Sequence, residues 1–116
     1  MSRPIKFRAW DKESQRIVGW QEIHDQWGVE YLDDGLAEIM QFTGRTDRTG
    51  TEVYEGDIIE YQAQEDGRWI TVRATVKWAD DLLMWDTDDK YRISLATTLQ
   101  MRGAHVVGNI WENGDV

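Results

Sequence analysis

The residues best suited to metal chemistry form an acidic run over 80–89. Asp86, Asp88 and Asp89 place carboxylates at the close spacing of a calcium loop, and Asp80 and Asp81 precede them. The run lacks the glycine and the terminal bidentate glutamate of an EF-hand loop. We therefore interpret it as a solvated hairpin tip and predict neither a metal site nor a cofactor.

Nucleophilic catalysis has equally little support in the sequence. His24 and His105 lie far apart, and although Asp25 follows His24, neither Ser14 nor Ser94 lies in a nucleophile-elbow motif. The chain has no cysteine, which excludes disulfides, thiolate zinc clusters and cysteine nucleophiles. We predict no catalytic residues and no enzymatic activity; a hydrolytic or metal-dependent enzyme is the weaker alternative.

Residues 43–57 form a predicted loop that is rich in turn residues, and polar side chains in and beside it could contact a partner. Asp47-Arg48-Thr49-Gly50 fits a type I turn, and Glu55-Gly56-Asp57 fits a second tight turn. The second turn's aspartate can accept hydrogen bonds from loop amides, which favours an architectural role. Loops on rigid scaffolds also carry function, so an architectural role is compatible with a second hypothesis, that these residues form a polar groove that binds a partner. The residues expected to line this groove are Gln41, Thr43, Arg45, Asp47, Glu55 and Asp57.

Seven tryptophans in 116 residues argue for a folded core and, by their placement, for an interface. Alternation along 68–78 groups Trp78 with the apolar residues of a core face. Trp10, Trp69 and Trp20 fall on the opposite side, where indoles need a cover from the same chain or from a second subunit. Interfaces favour tryptophan and arginine, whereas stacking on single-stranded nucleic acid is the alternative use of such a surface. We predict a homo-oligomer interface formed by Arg8, Trp10, Trp20, Arg68, Trp69 and Arg73.

The charge is strongly acidic and unevenly distributed. The net charge of −9 disfavours binding to nucleic acid or to anionic membranes. Residues 1–20 carry +3, which leaves −12 on the rest. This basic edge could pair with an acidic patch of another copy, or it could be a solvated strand face. The sequence has no signal-peptide pattern and no apolar run of membrane-spanning length, so we expect a cytoplasmic protein without membrane contact.

Period-two alternation dominates the chain and predicts strands. Strands over 5–10 and 15–20, joined by a polar turn, form a predicted N-terminal hairpin. A strand is expected over 27–32, and a short strand or a single turn over 36–42 that Gly44 ends. Further strands are expected over 57–61, 68–78, 82–85, 91–95 and 105–111.

Turn chemistry completes the prediction of the fold. Glu65-Asp66-Gly67 is a hairpin turn, while Thr43-Gly44 and Gly108-Asn109 indicate a turn exit and a strand bulge. Many short strands with frequent turns predict a mostly β fold: a small SH3-like barrel or curled antiparallel sheet with little helix. We expect one domain over 1–116, with the hairpin over about 4–42 and the barrel-like part over about 43–116.

Three segments, read together, resemble the YopX family of small phage and prophage proteins: IKFRAWD at 5–11, MQFTGRTDRTGTEVYEGDII at 40–59 and VVGNIWEN at 106–113. The resemblance implies a mostly β fold, a phage or prophage origin and oligomeric assembly, and it implies no mechanism. We expect an accessory protein of the host cell cytoplasm that self-assembles and binds a host or phage protein. A regulator of nucleic-acid processes, by base stacking or as an acidic DNA mimic, is the alternative.

Overall fold

Antiparallel strands dominate the part of the chain that the computed structural model describes, which is residues 6–27, 37–79, 84–88 and 94–113. One sheet has the order β2-β1-β3-β4, with β1 (Phe7–Asp11), β2 (Arg16–Val18), β3 (Ala37–Thr46) and β4 (Glu52–Tyr54). The other has the order β7-β6-β5-β8, with β5 (Asp57–Glu65), β6 (Arg68–Ala79), β7 (Met84–Asp88) and β8 (Arg102–Asn109). The described helices are short: α1 (Trp20–Glu22), a π-helical segment (Ile23–Trp27), α2 (Leu95–Thr98) and α3 (Ile110–Asn113). The prediction of a mostly β, curled antiparallel fold with little helix is confirmed, in the form of a half-barrel.

The predicted N-terminal hairpin is also confirmed. β1 and β2 pair with Ala9 opposite Val18. In the connecting turn, the Asp11 carboxylate accepts hydrogen bonds from the amides of Glu13 and Ser14, both at 3.0 Å. A short polar side chain that bonds its own loop amides favours such a turn.

The strand alternative for 36–42 is confirmed over 37–42, but the expectation that it is short and ends at Gly44 is wrong, because β3 has ten residues and runs through Gly44. Its first half pairs with β1, and its second half pairs with β4. Gly44 has φ of 88° and lies where the register shifts between Phe42 and Thr46. Long-range pairing thus absorbs the glycine as a bulge instead of ending the strand.

The second sheet follows its turn signals closely. Asp66 and Gly67 both have positive φ, 53° and 77°, as a two-residue hairpin turn requires. The register also shifts where Ile58 pairs with Gly108 and Ile59 with Val106, which confirms the predicted bulge.

Three predicted strands differ from the structure. Leu95 begins α2, where the Ser94 hydroxyl accepts the Thr97 amide at 3.2 Å as an N-cap. The last strand ends at Asn109, and its side chain accepts the amide of Trp111 at 3.0 Å at the start of α3. Of the strand expected over 27–32, Trp27 belongs to the π-helical segment and 28–32 lie outside the described residues. The predictions for 82–83 and 91–93 also lie outside them.

Apolar side chains are buried on both sides of the first sheet and on the inner side of the second. In the first sheet, Ala9, Val18 and Ile23 form one cluster, and a second comprises Trp10, Met40, Phe42 and Tyr54. The inner face of the second sheet is covered by Val53 of β4 and Leu95 of α2. Its cluster also contains Ile59, Tyr61, Ala63, Val72, Ala74, Val76, Leu99 and Ala104.

The corner at Gly56 joins the two sheets. The Gly56 amide donates to the Val76 carbonyl at 2.9 Å, and its carbonyl accepts the Ile110 amide at 3.0 Å. The φ of 88° at Gly56 is a left-handed conformation that favours glycine. This corner brings the ends of β3 and β4 against β6 and β7.

Candidate functional site: a groove between the two sheets

A groove lies between the end of β3 and the β6–β7 pair. One part, about 510 Å³, is named here the Arg45 half and is lined by Thr43, Gly44, Arg45, Trp78, Met84, Trp85, Ser94, Leu95 and Ala96. A second part, about 440 Å³, is named the Glu55 half and is lined by Gln41, Glu55, Trp78 and Trp85. Both halves are lined by the tryptophan pair, Trp78 and Trp85.

The aromatic wall of the groove consists of cross-strand neighbours. Trp78 on β6 pairs with Trp85 on β7, and their ring centroids lie 5.2 Å apart at an interplanar angle of 76°. This is the edge-to-face arrangement that aromatic pairs prefer. Trp78 is 40% exposed and Met84 is 37% exposed. The wall therefore presents apolar surface to solvent.

The prediction that Trp78 faces the core is wrong. Alternation holds along β6 through Val76, but Ala79 then takes the buried position. The Gly56 amide binds the Val76 carbonyl at the end of the core, and Trp78 lies beyond this contact. Trp78 therefore lines the groove with Leu95 and Trp85.

The polar wall comes from β3 and the corner after β4. The Glu55 amide donates to the Gln41 carbonyl at 2.9 Å, and the Gln41 amide lies 3.5 Å from Glu55 Oε1. The Thr43 hydroxyl donates to the Val53 carbonyl at 2.8 Å and accepts the Arg45 amide at 3.3 Å. Within the described residues, neither the Arg45 nor the Glu55 side chain forms an ion pair. Among the described residues, the groove thus holds one cation, Arg45, and one carboxylate, Glu55, each in its own half.

Four of the six residues predicted to line a polar groove do line this one: Gln41, Thr43, Arg45 and Glu55. Asp47 does not, because it is only 5% exposed and organises the β3–β4 turn. Its carboxylate accepts the amides of Thr49 at 2.9 Å, Thr51 at 3.0 Å and Val106 at 2.9 Å. Burial acts to raise the pKa of Asp47, but the Thr49 hydroxyl and these three amides together hold the pKa below its ordinary value. Asp47 therefore ties the turn to β8.

Asp57 is likewise a buried residue outside the groove, at 1% exposure. One carboxylate oxygen accepts the Tyr54 amide at 2.7 Å, as the turn chemistry predicts, and the other forms an ion pair with Arg8. The Arg8 guanidinium also lies 4.4 Å from the Tyr54 ring centroid. Burial raises the pKa of Asp57, and Arg8 and the Tyr54 amide offset part of that effect. Burial and the nearby Glu52 charge raise the pKa of Tyr54 to about 12.

The predicted oligomer interface is divided by the structure. Trp10 is 7% exposed and packs in the first sheet's cluster, so the chain itself covers it and its assignment to an interface is wrong. Arg8 is held in its ion pair with Asp57. Trp20 is half-buried, with its ring centroid 5.9 Å from that of Phe7. The burial of these side chains depends on which strands pair, and sequence alternation cannot reveal that.

The remaining three predicted interface residues are exposed on β6: Arg68, Trp69 and Arg73. Trp69 is 52% exposed, and the guanidinium of Arg102 lies 4.5 Å from its ring centroid. Arg73 donates to the Glu60 carboxylate at 2.9 Å. We name Trp69, Arg73 and Arg102 the outer-sheet patch. Sequence reasoning missed Arg102 because only the pairing of β8 with β5 brings it near β6.

The acidic run differs from the predicted solvated hairpin tip. Asp86 and Thr87 belong to β7, and Asp86 is 1% exposed, with its carboxylate accepting the Thr87 amide at 2.7 Å. Asp80, Asp81 and Asp89 lie outside the described residues. Within residues 6–27, 37–79, 84–88 and 94–113, no cluster of three or more histidine or acidic side chains could hold a metal ion.

The remaining candidates for catalysis do not come together. His24 Nδ1 lies 3.1 Å from Asp25 Oδ1, and both side chains are mostly exposed. His105 contacts the Gly103 carbonyl at 2.7 Å on β8, and Ser94 caps α2.

In the part of the chain that the structure describes, no helix is long and apolar enough to cross a membrane.

Comparison with known proteins gives a family and a fold. Residues 6–116 match the model of the family described as YopX protein. The crystal structure of protein EF1440 from Enterococcus faecalis is similar, with a TM-score of 0.69 and 23% sequence identity over 98% of each chain. At that identity the likeness shows the fold alone. No curated protein matches the chain.

Proposed function

The chain belongs to the YopX family, and from this premise we propose that it is a phage or prophage accessory protein that works as a non-catalytic protein-binding module. We further propose that it acts in the host cell cytoplasm. The observation that carries the proposal is the groove, in which exposed Trp78 and Met84 lie beside Arg45 and Glu55, neither of which forms an ion pair with another described residue.

The composition of the groove is typical of a protein interface. Tryptophan, methionine and arginine are enriched in such interfaces, and buried tryptophan and arginine supply much of the binding energy. Small-molecule pockets are predominantly apolar with a few placed polar groups, whereas this groove has one aromatic and one polar wall. A segment of a partner protein could pack on Trp78 and hydrogen-bond to the half-buried side chain of Gln41.

The test compares two exposed tryptophans of the same strand. Wild-type protein, Trp78→Ala and Trp69→Ala are each used as bait in extracts of phage-infected host cells, and retained proteins are identified by mass spectrometry. We expect a partner that the wild type and Trp69→Ala retain and that Trp78→Ala loses. That partner is then purified and its Kd is measured by calorimetry. Identical sets of proteins on all three baits would contradict the proposal.

We propose in addition that copies of the chain associate through the outer-sheet patch. Trp69 is the most exposed of the large apolar side chains that the structure describes, and Arg102 lies over its ring. Sedimentation equilibrium over a range of protein concentrations tests this association. The wild type should form oligomers, and Trp69→Ala should shift the equilibrium toward monomer. A wild type that stays monomeric at high micromolar concentration would exclude it.

The second candidate function, binding of single-stranded nucleic acid, draws on the same patch. Stacked arginine and tryptophan side chains suit base stacking. The net charge of −9 and the pairing of Arg73 with Glu60 weigh against it. A mobility shift with single-stranded DNA at low salt, lost in Trp69→Ala, would favour this function. Absence of a shift at low salt would exclude base stacking.

A further inference from the structure

We propose that the Glu55 half of the groove binds a cationic side chain, lysine, methylated lysine or arginine, of the partner protein. This inference rests on the protein-binding function proposed above and gives that partner a chemistry. It follows from three features of the groove: the geometry of the tryptophan pair, the position of Glu55, and the placement of Arg45 in the other half, away from Glu55.

The edge-to-face tryptophan pair leaves indole surface open to a ligand. Its rings meet at 76° with 5.2 Å between the centroids, and Trp78 is 40% exposed while Trp85 is half-buried, so the accessible ring surface is mainly that of Trp78. A cation over a tryptophan face, within about 6 Å of its centroid, is attracted by the ring quadrupole.

The fold already places its own cations on other aromatic rings. Lys6 lies 4.7 Å from the Phe42 centroid, and Arg8 and Arg102 cover Tyr54 and Trp69. By contrast, none of the cationic groups that the structure describes lies over Trp78 or Trp85. Among the described residues, the tryptophan pair is therefore left without a cation, and it can accept one from another molecule.

Glu55 supplies the matching negative charge. Its side chain is half-buried, lines the same half as both indoles and forms no ion pair among the described residues. The side chain of Gln41 adds an amide oxygen that can accept a hydrogen bond from an ammonium or guanidinium group. The net charge of −9 also favours the approach of a basic segment.

Arg45 determines the orientation of the bound segment. It lines the other half of the groove, beside Thr43 and Ser94, where it disfavours a cation and suits a carbonyl or carboxylate. A bound peptide would therefore place its basic side chain at Glu55 and its backbone or an acidic neighbour toward Arg45.

The test distinguishes binding that depends on the positive charge of the ligand from binding that depends only on its apolar shape. The full chain, with its indole N–H signals assigned by NMR, is titrated with an amide-capped trimethyl-lysine and with the neutral isostere in which carbon replaces the quaternary nitrogen. We expect the Trp78 and Trp85 signals to shift with trimethyl-lysine, and the isostere to bind at least about tenfold more weakly. Capped lysine and capped arginine, titrated in the same way, rank the cations.

Variants of single groove residues complete the test. Glu55→Gln should weaken binding of the cation about fivefold, the factor for a charge pair in high dielectric, and leave the isostere unchanged. Trp78→Ala should abolish the response, and Trp78→Phe should retain part of it. Arg45→Gln, which removes the repelling charge, should leave the affinity unchanged or raise it. Glu13→Gln, the same change at an exposed carboxylate outside the groove, should behave as the wild type.

Failure of this inference differs from failure of the protein-binding function. Equal affinity for trimethyl-lysine and its isostere, or no shift of either indole signal, would overturn the cation site. A partner retained through Trp78 in the bait experiment would still support the groove as a protein-binding surface.

Discussion

Arg8 of β1 and Asp57 of β5 form a buried ion pair between the two sheets, joining residues 49 positions apart in the chain. Asp57 also accepts the Tyr54 amide, so the pair fixes the corner from which the polar wall of the groove extends. Removal of one member of a buried pair leaves the other charge without compensation.

We therefore predict that Arg8→Met lowers the free energy of unfolding by about 3–5 kcal/mol at neutral pH. The loss should shrink in acid, because protonated Asp57 needs no cationic partner and burial already raises its pKa. Urea denaturation at several pH values measures both effects. The control is Arg73→Met, whose partner Glu60 forms a more exposed pair, with an expected loss below about 1 kcal/mol. Equal losses in the two variants would contradict the structural role of Arg8.

Asp47 provides a second test through pH. Its pKa in the folded protein lies below the ordinary value of 3.8, so its stabilising contribution is complete above that value and is lost as pH falls through the folded pKa. Asp47→Asn should lower stability by about 2 kcal/mol at neutral pH, because a neutral amide accepts the three backbone N–H groups more weakly.

The difference between wild type and Asp47→Asn should narrow as the pH falls below about 4. Denaturation curves across that range measure it. Glu13→Gln, an exposed change in the β1–β2 turn, serves as the control and should match the wild type. A difference that is constant with pH would show that the carboxylate charge of Asp47 is unimportant.

Substitution of Gly56 should lower stability through the backbone conformation alone. A Cβ at Gly56 would meet Met40 Sδ and Ile110 Cγ1 at 3.6 Å, which is ordinary contact, and a Cβ at Gly50 would meet nothing within 4 Å. Both residues have φ near 90°: 88° at Gly56 and 89° at Gly50. Gly56→Ala and Gly50→Ala should therefore each destabilise by about 1–2 kcal/mol, as measured by thermal and urea unfolding. A much larger loss for Gly56→Ala would indicate crowding at the corner instead.

Two tryptophans that the sequence places in one interface should respond differently to removal. Trp10→Ala empties a site in a buried cluster and should cost about 3–5 kcal/mol of stability. Trp69→Ala removes a half-exposed ring and should change stability by less than about 1 kcal/mol. Chemical denaturation of both variants, each at a concentration where the protein is monomeric, gives the comparison. Similar losses would contradict the different burial of the two rings.

Local chemistry made several parts of this protein predictable. The turn at Asp47–Gly50, the tight turn at Gly56 and the hairpin at Asp66-Gly67 all form where their residues indicate, because turn residues act over a few positions. Alternation along β6 also identified the inner face from Ile70 to Val76, because successive side chains of a strand point to opposite faces of the sheet. Four groove residues were found because their polar side chains lie in or beside the turn-rich segment that the sequence singled out.

Long-range contacts decided the features that the sequence did not predict. Pairing of β1 with β3 covers Trp10, and pairing with β4 carries β3 through Gly44. The contact between Gly56 and Val76 ends the core before Trp78. The sequence by itself thus determined the family, the β class and the turns. Only the tertiary structure decided which tryptophans are exposed and that Trp78, Trp85 and Glu55 line one groove, because burial depends on strands that pair across the whole chain.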